Sequence, residues 1–217
     1  MYTPSHFKQE DLAAIHEMMA RIGFASLITN TPSGLVATHA PVLFDASDGE
    51  QGTLRGHIAR ANTQWKTSLT DSEAMAIFTG SNGYVSPQWY ASKGEHGRVV
   101  PTWNYIAIHA YGRVKFSEDR ELLLNIVTRL TEKHEAGFEH PWHVSDAPAD
   151  YIQSMLGAII AFEMPISRIE ATWKLSQNKT EADRVGAMNG LKEQGNDVAD
   201  AMEKAFTKTK PWKEDKP

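Results

Sequence analysis

The segment TLRGHIARANTQWKTSL, from Thr53 to Leu69, joins a predicted strand, a polar turn and the start of a helix. Its first half alternates between two kinds of residue, which predicts a β-strand with two different faces. One face carries Leu54, Gly56 and Ile58, and the other carries Arg55, His57 and Ala59. The alternation ends at Arg60, and Asn62 or Thr63 can accept hydrogen bonds from the first free N–H groups of a helix.

The predicted turn brings together several groups that bind anions. Free backbone N–H groups, the amides of Asn62 and Gln64, and the cations of Arg60 and Lys66 can converge there. Such donors suit a phosphate above all other anions. The same pattern also fits an ordinary strand–helix connection with a capped helix, and the residues alone leave both interpretations open.

The composition is that of one large folded domain, or of one domain with an extension. The chain has 217 residues, of which 41% are hydrophobic and 23% are charged, so a packed core is expected. The formal net charge of −5 gives no global attraction to nucleic acid or to an anionic membrane. The absence of cysteine excludes disulfides, cysteine-ligated metal centres and thiol chemistry.

The sequence also predicts where the protein resides. The N-terminal residues MYTPSHFK lack the basic start and apolar run of a signal peptide. No apolar stretch approaches the roughly 20 residues that a membrane-spanning helix needs. We therefore expect a soluble cytoplasmic protein, and the lack of cysteine fits a reducing compartment.

Periodicity predicts many strands in close succession, followed by helices. The predicted strands are 24–30, 35–44, 53–59, 74–79, 83–86, 100–116, 158–164 and 166–173. The predicted helices are 9–22, 118–132, 150–155, 197–206 and one that opens with the capping-box-like sequence 180–183. We expect a turn at 80–83, an exposed mobile loop at 87–99 and a frayed tail at 207–217. This order predicts an antiparallel β-barrel with added helices, a mainly β fold of the α+β kind.

A proline interrupts the second predicted strand. Pro41 cannot donate to a strand ladder, so we expect an edge or a bulge there. Either feature would expose the backbone groups of Thr38 and His39.

Several short motifs occur in the order found in one protein family. They are MYTP (1–4), ATHAP (37–41), GHIARANTQW (56–65), YVSPQWY (84–90), VPTWNY (100–105), GAIIAFE (157–163), KLSQN (174–178) and DR (183–184). Together they resemble the PaiB-type FMN-binding negative transcriptional regulators, from Met1 to about Leu191. The motifs VPTWNY and KLSQN are the most specific. The family usually has Asn-Pro-Gln-Trp at 62–65 and often Asn-Arg-Ser at 178–180, so this chain departs slightly at both places.

The resemblance implies an antiparallel split β-barrel of the flavin-reductase and pyridoxine-phosphate-oxidase kind. It implies a barrel domain at 1–178, a C-terminal helical extension and tail at 179–217, and a homodimer with FMN at the subunit interface. It places the second strand beside the flavin ring. The residues expected to contact FMN are Thr38, His39, Ala40, His57, Ile58, Ala59, Arg60, Asn62, Gln64, Trp65, Lys66, Trp103, Asn104, Tyr105, Lys174 and Gln177.

Several of these residues also have ordinary structural interpretations. His57 fits a hydrogen-bonded histidine of the barrel as well as it fits a ligand. Trp65 suits packing beneath the helix, and the run 103–105 suits a barrel core in which the indole and hydroxyl groups need partners. Lys174 and Gln177 also fit a solvated strand end.

The residues leave more than one function open. The family name implies a flavin-binding regulator, but a bound FMN can also exchange hydride and electrons without any protein nucleophile, as in a flavin-dependent oxidoreductase. A haem-binding split barrel, or a dimer with a different ligand, is a further alternative. The acidic charge and the lack of a recognition-helix pattern argue against direct DNA binding.

No catalytic or metal site is predicted. His134, Glu135, Glu139, His140 and His143 are close in sequence, but their spacing matches no defined ligand motif. No Rossmann, P-loop or nucleophile-elbow motif is present.

Overall fold

The computed structural model describes residues 1–208, so the predicted tail lies outside the described residues from 209 on. Its helices are α1 (Leu12–Ile22), α2 (Gln64–Thr67), α3 (Ser92–His96), α4 (Arg120–Glu135), α5 (Ala149–Leu156), α6 (Glu181–Glu193) and α7 (Val198–Lys208). Its strands are β1 (Phe24–Thr31), β2 (Gly34–Asp45), β3 (Thr53–Ala59), β4 (Ala74–Val85), β5 (Thr102–Gly112), β6 (Lys115–Ser117) and β7 (Ile159–Lys174). Within residues 1–208, no helix is long and apolar enough to cross a bilayer.

The strands form one sheet in the order β3-β2-β1-β4-β5-β7-β6. An additional pairing of β3 with β7 joins the first six strands of this order into a closed circuit, and β6 lies outside on β7. The hairpin of β1 and β2 and the β2–β3 and β3–β7 ladders are antiparallel. The predicted antiparallel split barrel is confirmed, and closure of this kind removes most unpaired strand edges.

Strand β2 changes its partner in the middle. It pairs with β1 up to Pro41 and with β3 only from Val42 onward. Between Leu35 and Ala40, the second edge of β2 therefore pairs with no strand among residues 1–208. The edge predicted around Pro41 is confirmed, since a proline cannot donate to a second ladder. We call residues 35–40 the open edge of β2.

The chain divides into two compact units. The first, which we call the central unit, comprises Ala13–Phe78 and Ile108–Glu170. The second, the terminal unit, comprises Met1–Leu12, Thr79–Ala107 and the residues from Ala171 on. The predicted division into a barrel domain at 1–178 and a C-terminal extension at 179–217 stays a prediction.

In the central unit, helices α4 and α5 pack on β2, β3 and β7. Their shared core consists of Leu43, Leu123, Ile126, Leu130, Leu156 and Ala161. Because directly paired residues share one face of a sheet, the register places Arg55 (opposite Leu43) and His57 (opposite Ala161) on the face that these helices cover. The α4 helix begins where the Asp119 carboxylate accepts the Glu121 N–H at 2.9 Å.

In the terminal unit, helix α6 packs closely on Trp89. An added Cβ at Gly186 would lie 1.9 Å from the Trp89 carbonyl oxygen, so only glycine allows this approach. The Asp183 carboxylate accepts hydrogen bonds from the Ser92 N–H at 3.0 Å and the Ser92 hydroxyl at 2.7 Å. The predicted cap of α6 is present, because the Thr180 hydroxyl accepts the Asp183 N–H at 3.3 Å. The segment 87–99 was predicted to be a loop, but it contains a 3₁₀ turn (Pro87–Trp89) and α3 instead.

The sequence placed the interruptions of three strands wrongly. Strand β4 is continuous through the predicted turn at 80–83, because Gly80 allows Ile106 to approach: an added Cβ would lie 3.0 Å from the Ile106 Cβ. The predicted strand 100–116 is divided into β5 and β6. The predicted break at Pro165 is absent from β7, because this residue pairs with Thr53 at the end of the β3 ladder, where a proline is tolerated.

Candidate functional site

Gln64 is the first residue of α2, and its side chain is buried against the hairpin of β1 and β2. Its residue surface is 1% exposed. The Gln64 Nε2 donates to the Leu27 carbonyl at 3.2 Å, the Thr29 hydroxyl at 3.0 Å and the Val36 carbonyl at 3.3 Å. Its Oε1 accepts the Thr38 hydroxyl at 2.5 Å. The amide is fully bonded to protein groups, so it does not present the free donor to a phosphate that the sequence led us to expect.

Asn62 extends this set of bonds into the turn. Its Nδ2 donates to the Thr38 hydroxyl at 2.7 Å, and its Oδ1 accepts the Gln64 N–H at 3.0 Å. The Ser68 hydroxyl bonds to the Thr29 hydroxyl at 2.8 Å and donates to the Gln64 carbonyl at 2.7 Å. We call Thr29, Thr38, Asn62, Gln64 and Ser68 the amide network. It fastens α2 to the hairpin and thereby fixes the turn that precedes α2.

The two cations of this turn differ in their availability. The Arg60 guanidinium donates to the Gly157 carbonyl at 2.6 Å and pairs with the Glu118 carboxylate. The exposed Lys66 ammonium lies 4.9 Å from the centre of the Trp65 ring and has no ion pair among residues 1–208. The Trp65 indole itself donates to the Arg60 carbonyl at 3.0 Å, which supports the packing interpretation. Lys66 is therefore the cation of the turn that is free to meet an added anion.

The open edge of β2 lies against the turn through the contact of Thr38 with Asn62. His39 points to the other face of the strand, where it is exposed, and its Nδ1 lies 2.8 Å from the Ser26 hydroxyl. Its ring is nearly parallel to that of Phe24, with the centroids 6.4 Å apart. The Ala40 side chain is buried, and its backbone groups face β1.

Strand β3 contributes less to this surface than the sequence suggested. His57 lies on the helix-covered face, and its Nδ1 is buried without a hydrogen-bond partner among the described residues. Burial lowers the pKa of the His57 imidazole below its usual value, so the neutral form is favoured. The Ile58 side chain is in the core. The Ala59 carbonyl accepts the Asn62 N–H at 2.9 Å, which closes the turn.

A second group of predicted site residues lies in the terminal unit, where it forms an exposed aromatic pair. Trp103 is 51% exposed and Tyr84 is 49% exposed. Their rings meet edge to face, with the centroids 6.3 Å apart, and the Trp103 indole donates to the Asn82 Oδ1 at 3.1 Å. Tyr105 is half-buried two residues farther along β5.

Asn104 lies between Trp103 and Tyr105 in sequence, and it is fully buried. Its Nδ2 donates to the Ser176 hydroxyl at 2.9 Å and contacts the Met202 sulfur at 3.3 Å. Ser176 has a φ of 66°, in the left-handed region that few side chains adopt. The Asn104 amide therefore stabilises a strained turn, which is the core role that we considered beside ligand binding.

Lys174 and Gln177 also make internal bonds. The Lys174 ammonium donates to the Thr102 hydroxyl at 2.6 Å and the Trp103 carbonyl at 2.5 Å, and burial lowers its pKa. The Gln177 amide donates to the Trp173 carbonyl at 2.5 Å. Neither side chain is the solvated strand end that was the alternative to a ligand role.

Sequence reasoning missed two members of the amide network, Thr29 and Ser68. Thr29 follows Ala25 and Leu27 on the inward positions of β1, and all three side chains are buried. A polar residue in such a row needs a partner, which is the signal that the sequence offered. The partner, Gln64, is 35 residues away, and no local pattern identifies it.

The histidine cluster of the sequence does not form a metal site in the described part of the chain. Among residues 1–208, no three histidine, aspartate or glutamate residues are placed to hold a metal ion. His134, His140 and His143 are all exposed around the end of α4.

Comparison with known proteins gives one family and a relative that matches nearly the whole chain. The family model described as "Putative FMN-binding domain" matches residues 1–168. The Bacillus subtilis (strain 168) protein named "Protease synthase and sporulation protein PAI 2" is 31% identical over 202 residues, which cover 93% of this chain and 94% of that protein.

Solved structures with low sequence identity share the fold. The FAD and haem binding protein of Mycobacterium smegmatis has a TM-score of 0.58 at 12% identity, covering 83% of this chain and 79% of that chain. The flavocytochrome Anf3 of Azotobacter vinelandii has a TM-score of 0.53 at 11% identity, covering 77% of this chain and 69% of that chain. These likenesses confirm the split-barrel architecture.

Proposed function

Because the chain belongs to the PaiB-like FMN-binding domain family, we propose that it binds FMN between the turn after β3 and the open edge of β2. The observation that carries this proposal is the free Lys66 ammonium on a turn that the amide network holds in place. A phosphate needs a cation that is not already neutralised, and a fixed turn lowers the entropy cost of binding it.

The groups around the turn fit a phosphate-bearing flavin. Lys66 supplies a free charge, and Arg60 adds a second cation, partly neutralised by Glu118. The open edge offers the unpaired backbone groups of His39 for the polar edge of a flavin ring, whereas those of Ala40 face β1. Asn62 and Gln64 act by positioning the turn. When bound, FMN supplies hydride and electron transfer, which needs no protein nucleophile.

The Lys66→Ala variant tests this assignment. We expect it to weaken FMN binding by roughly 3- to 30-fold, since an exposed charge-assisted bond is worth about 0.7–2 kcal/mol. Riboflavin binding should change little, because riboflavin has no phosphate. Flavin fluorescence titration measures both affinities. Lys115→Ala is the matched control, because it removes the same charge from an exposed position on β6. Equal losses in the two variants would contradict a role for Lys66.

The cofactor proposal also has a spectroscopic test. The solved structures that share the fold include a protein named for FAD and haem and a flavocytochrome, so the absorbance of the purified protein must distinguish flavin from haem. We expect flavin bands and release of FMN on denaturation. A Soret band in the purified protein would favour the haem alternative.

We also propose that the protein is a homodimer. The exposed pair of Tyr84 and Trp103 supports this, because large aromatic side chains are concentrated at protein interfaces. Dimers of the obligate kind bury on the order of 2,000 Å² or more. Sedimentation at micromolar concentration should give the dimer mass, and a monomer alone would contradict it.

We propose a regulatory role from the resemblance to the PaiB-type regulators, to which the relative named "Protease synthase and sporulation protein PAI 2" adds support. We propose that this role does not use direct DNA contact, since the chain carries a net charge of −5. Tight binding to a promoter with a steep salt dependence would contradict this.

A further inference from the structure

Helices α4 and α5 form the walls of a groove in the central unit. Its volume is about 510 Å³. Leu124, Val144 and Ile152 supply apolar surface, while Glu132 and His143 add polar groups. None of these residues belongs to the amide network or to the turn after β3. The groove is therefore a separate surface that the flavin proposal does not use.

The groove is already formed in the folded chain. At one end, the Arg120 guanidinium donates to the Gln153 carbonyl at 3.0 Å and to its side-chain oxygen at 2.9 Å, which ties α4 to α5. At the other end, the Glu135 carboxylate accepts the Trp142 N–H at 2.9 Å, which folds the connecting segment back on α4. Binding of a partner would therefore carry little entropy cost for ordering these walls.

Exposed apolar side chains are concentrated around this part of the chain. Five of the fourteen large hydrophobic residues that are exposed in the described chain lie within 124–155. They are Leu124 (36% exposed), Phe138 (64%), Trp142 (44%), Tyr151 (55%) and Met155 (44%). Such concentration on a soluble domain typically marks an interaction surface.

The longer segment 118–155, which contains these five residues, is acidic. It has eight acidic and three basic residues, a net charge of −5. All three basic side chains are bonded internally. Arg120 bonds to Gln153, Lys133 to the Ala20 carbonyl at 2.8 Å, and Arg129 to the Asp45 carboxylate at 3.7 Å. Nucleic acid, an anionic membrane and a second copy of this acidic surface would all be repelled. A cationic partner is favoured.

The walls of the groove also restrict the shape of the partner. One wall is α4, and the other is a 3₁₀ turn (Val144–Asp146) followed by α5, so the groove offers no strand edge to an extended peptide. A helix satisfies its own backbone and can place apolar residues in the groove while basic residues meet the acidic surroundings. We propose that the α4–α5 groove is a docking site for a cationic amphipathic helix of a protein partner.

A peptide titration on the full-length protein tests this proposal. The probe is a labelled Leu/Lys peptide of about 14 residues that forms an amphipathic helix about 21 Å long. Its control has the same composition, with leucine spread around the helix. We expect the amphipathic peptide to bind at least about tenfold more tightly than the control, and its affinity to fall with salt.

Two variants locate the binding surface. Leu124→Lys should weaken the amphipathic peptide by about tenfold or more, because it removes apolar contact and adds a like charge. Leu12→Lys is the matched control, since it makes the same change at a leucine of helix α1 whose exposure (38%) is close to that of Leu124 (36%), and it should have no such effect. The far-UV circular dichroism spectrum and the urea unfolding midpoint of both variants should be unchanged, which verifies their fold independently of peptide binding.

Three results would overturn the proposal. The first is equal binding of the two peptides, and the second is an equal loss in the Leu124→Lys and Leu12→Lys variants. The third is tighter peptide binding after removal of residues 209–217, because it would show that the chain's own end occupies the groove. None of these results bears on the flavin site, so the two proposals can fail separately.

Discussion

The Gln64→Ala variant is expected to lower the free energy of unfolding by about 3–5 kcal/mol, enough to leave many domains only marginally stable. The substitution removes an amide that bonds to Leu27, Thr29, Val36 and Thr38 in a buried position. Each buried group left without a partner costs about 1–3 kcal/mol, and the cavity adds to this loss.

Urea unfolding measures the effect. The control is Thr63→Ala, one residue away, because Thr63 is exposed and its side chain makes no cap hydrogen bond. It should change the free energy of unfolding by less than about 0.5 kcal/mol. If both variants unfolded at the same urea concentration as the unmodified protein, Gln64 would not hold the turn as described.

The second large effect is expected at Gly186 in helix α6. Alanine is intrinsically better than glycine in a helix interior by about 1 kcal/mol, so helix propensity alone predicts stabilisation. The added Cβ would lie 1.9 Å from the Trp89 carbonyl oxygen, which forces the helix away from its neighbour. Overpacking costs about 1–3 kcal/mol and occasionally more. The Trp89 carbonyl belongs to rigid backbone, so the overpacking cost should lie at the upper end of this range. We therefore expect the free energy of unfolding to fall by about 2 kcal/mol or more.

Gly94→Ala provides the matched control for Gly186→Ala. Gly94 also lies in a helix, α3, but an added Cβ there meets no atom within 4 Å. This variant should be neutral or more stable by up to about 1 kcal/mol. Thermal or urea unfolding of the two variants gives the comparison. A stabilised Gly186→Ala protein would show that α6 does not press on Trp89.

The local elements of the fold were predictable because the hydrophobic pattern agrees with the turn and cap residues that bound each element. The hairpin of β1 and β2 has alternating strands on either side of the turn 31–34, and its predicted ends are within one residue of the observed ones. The helix α6 was predicted from its cap at Thr180. These signals are local, so they can be recognised without tertiary information.

The errors occurred where a distant contact decides the local structure. Gly80 resembles a turn residue, but its role is to let Ile106 approach β4. Gln64 is in a helix of four residues, which is too short for its periodicity to show which side chains point inward. The sequence therefore identified Gln64 as important and assigned its amide to an external phosphate, whereas the amide bonds within the barrel.

The candidate site was predictable to a different degree in each part. The polar turn and the edge near Pro41 were both expected from residue types, and the structure places Thr38 against Asn62 there. The ion pair that engages Arg60 but not Lys66 was not predictable, because its partner, Glu118, is 58 residues from Arg60. Which cation remains free is a property of the folded chain.

The most direct test of the central claim is the relative affinity of the unmodified protein for FMN and riboflavin. The two ligands share the ring and the ribityl chain, so a difference reports on the phosphate alone. We expect FMN to bind about tenfold or more tightly than riboflavin, since about 1.4 kcal/mol of phosphate contact gives a factor of ten. Flavin fluorescence titration measures both constants. Equal affinities would contradict the account and leave the turn after β3 as an ordinary strand–helix connection.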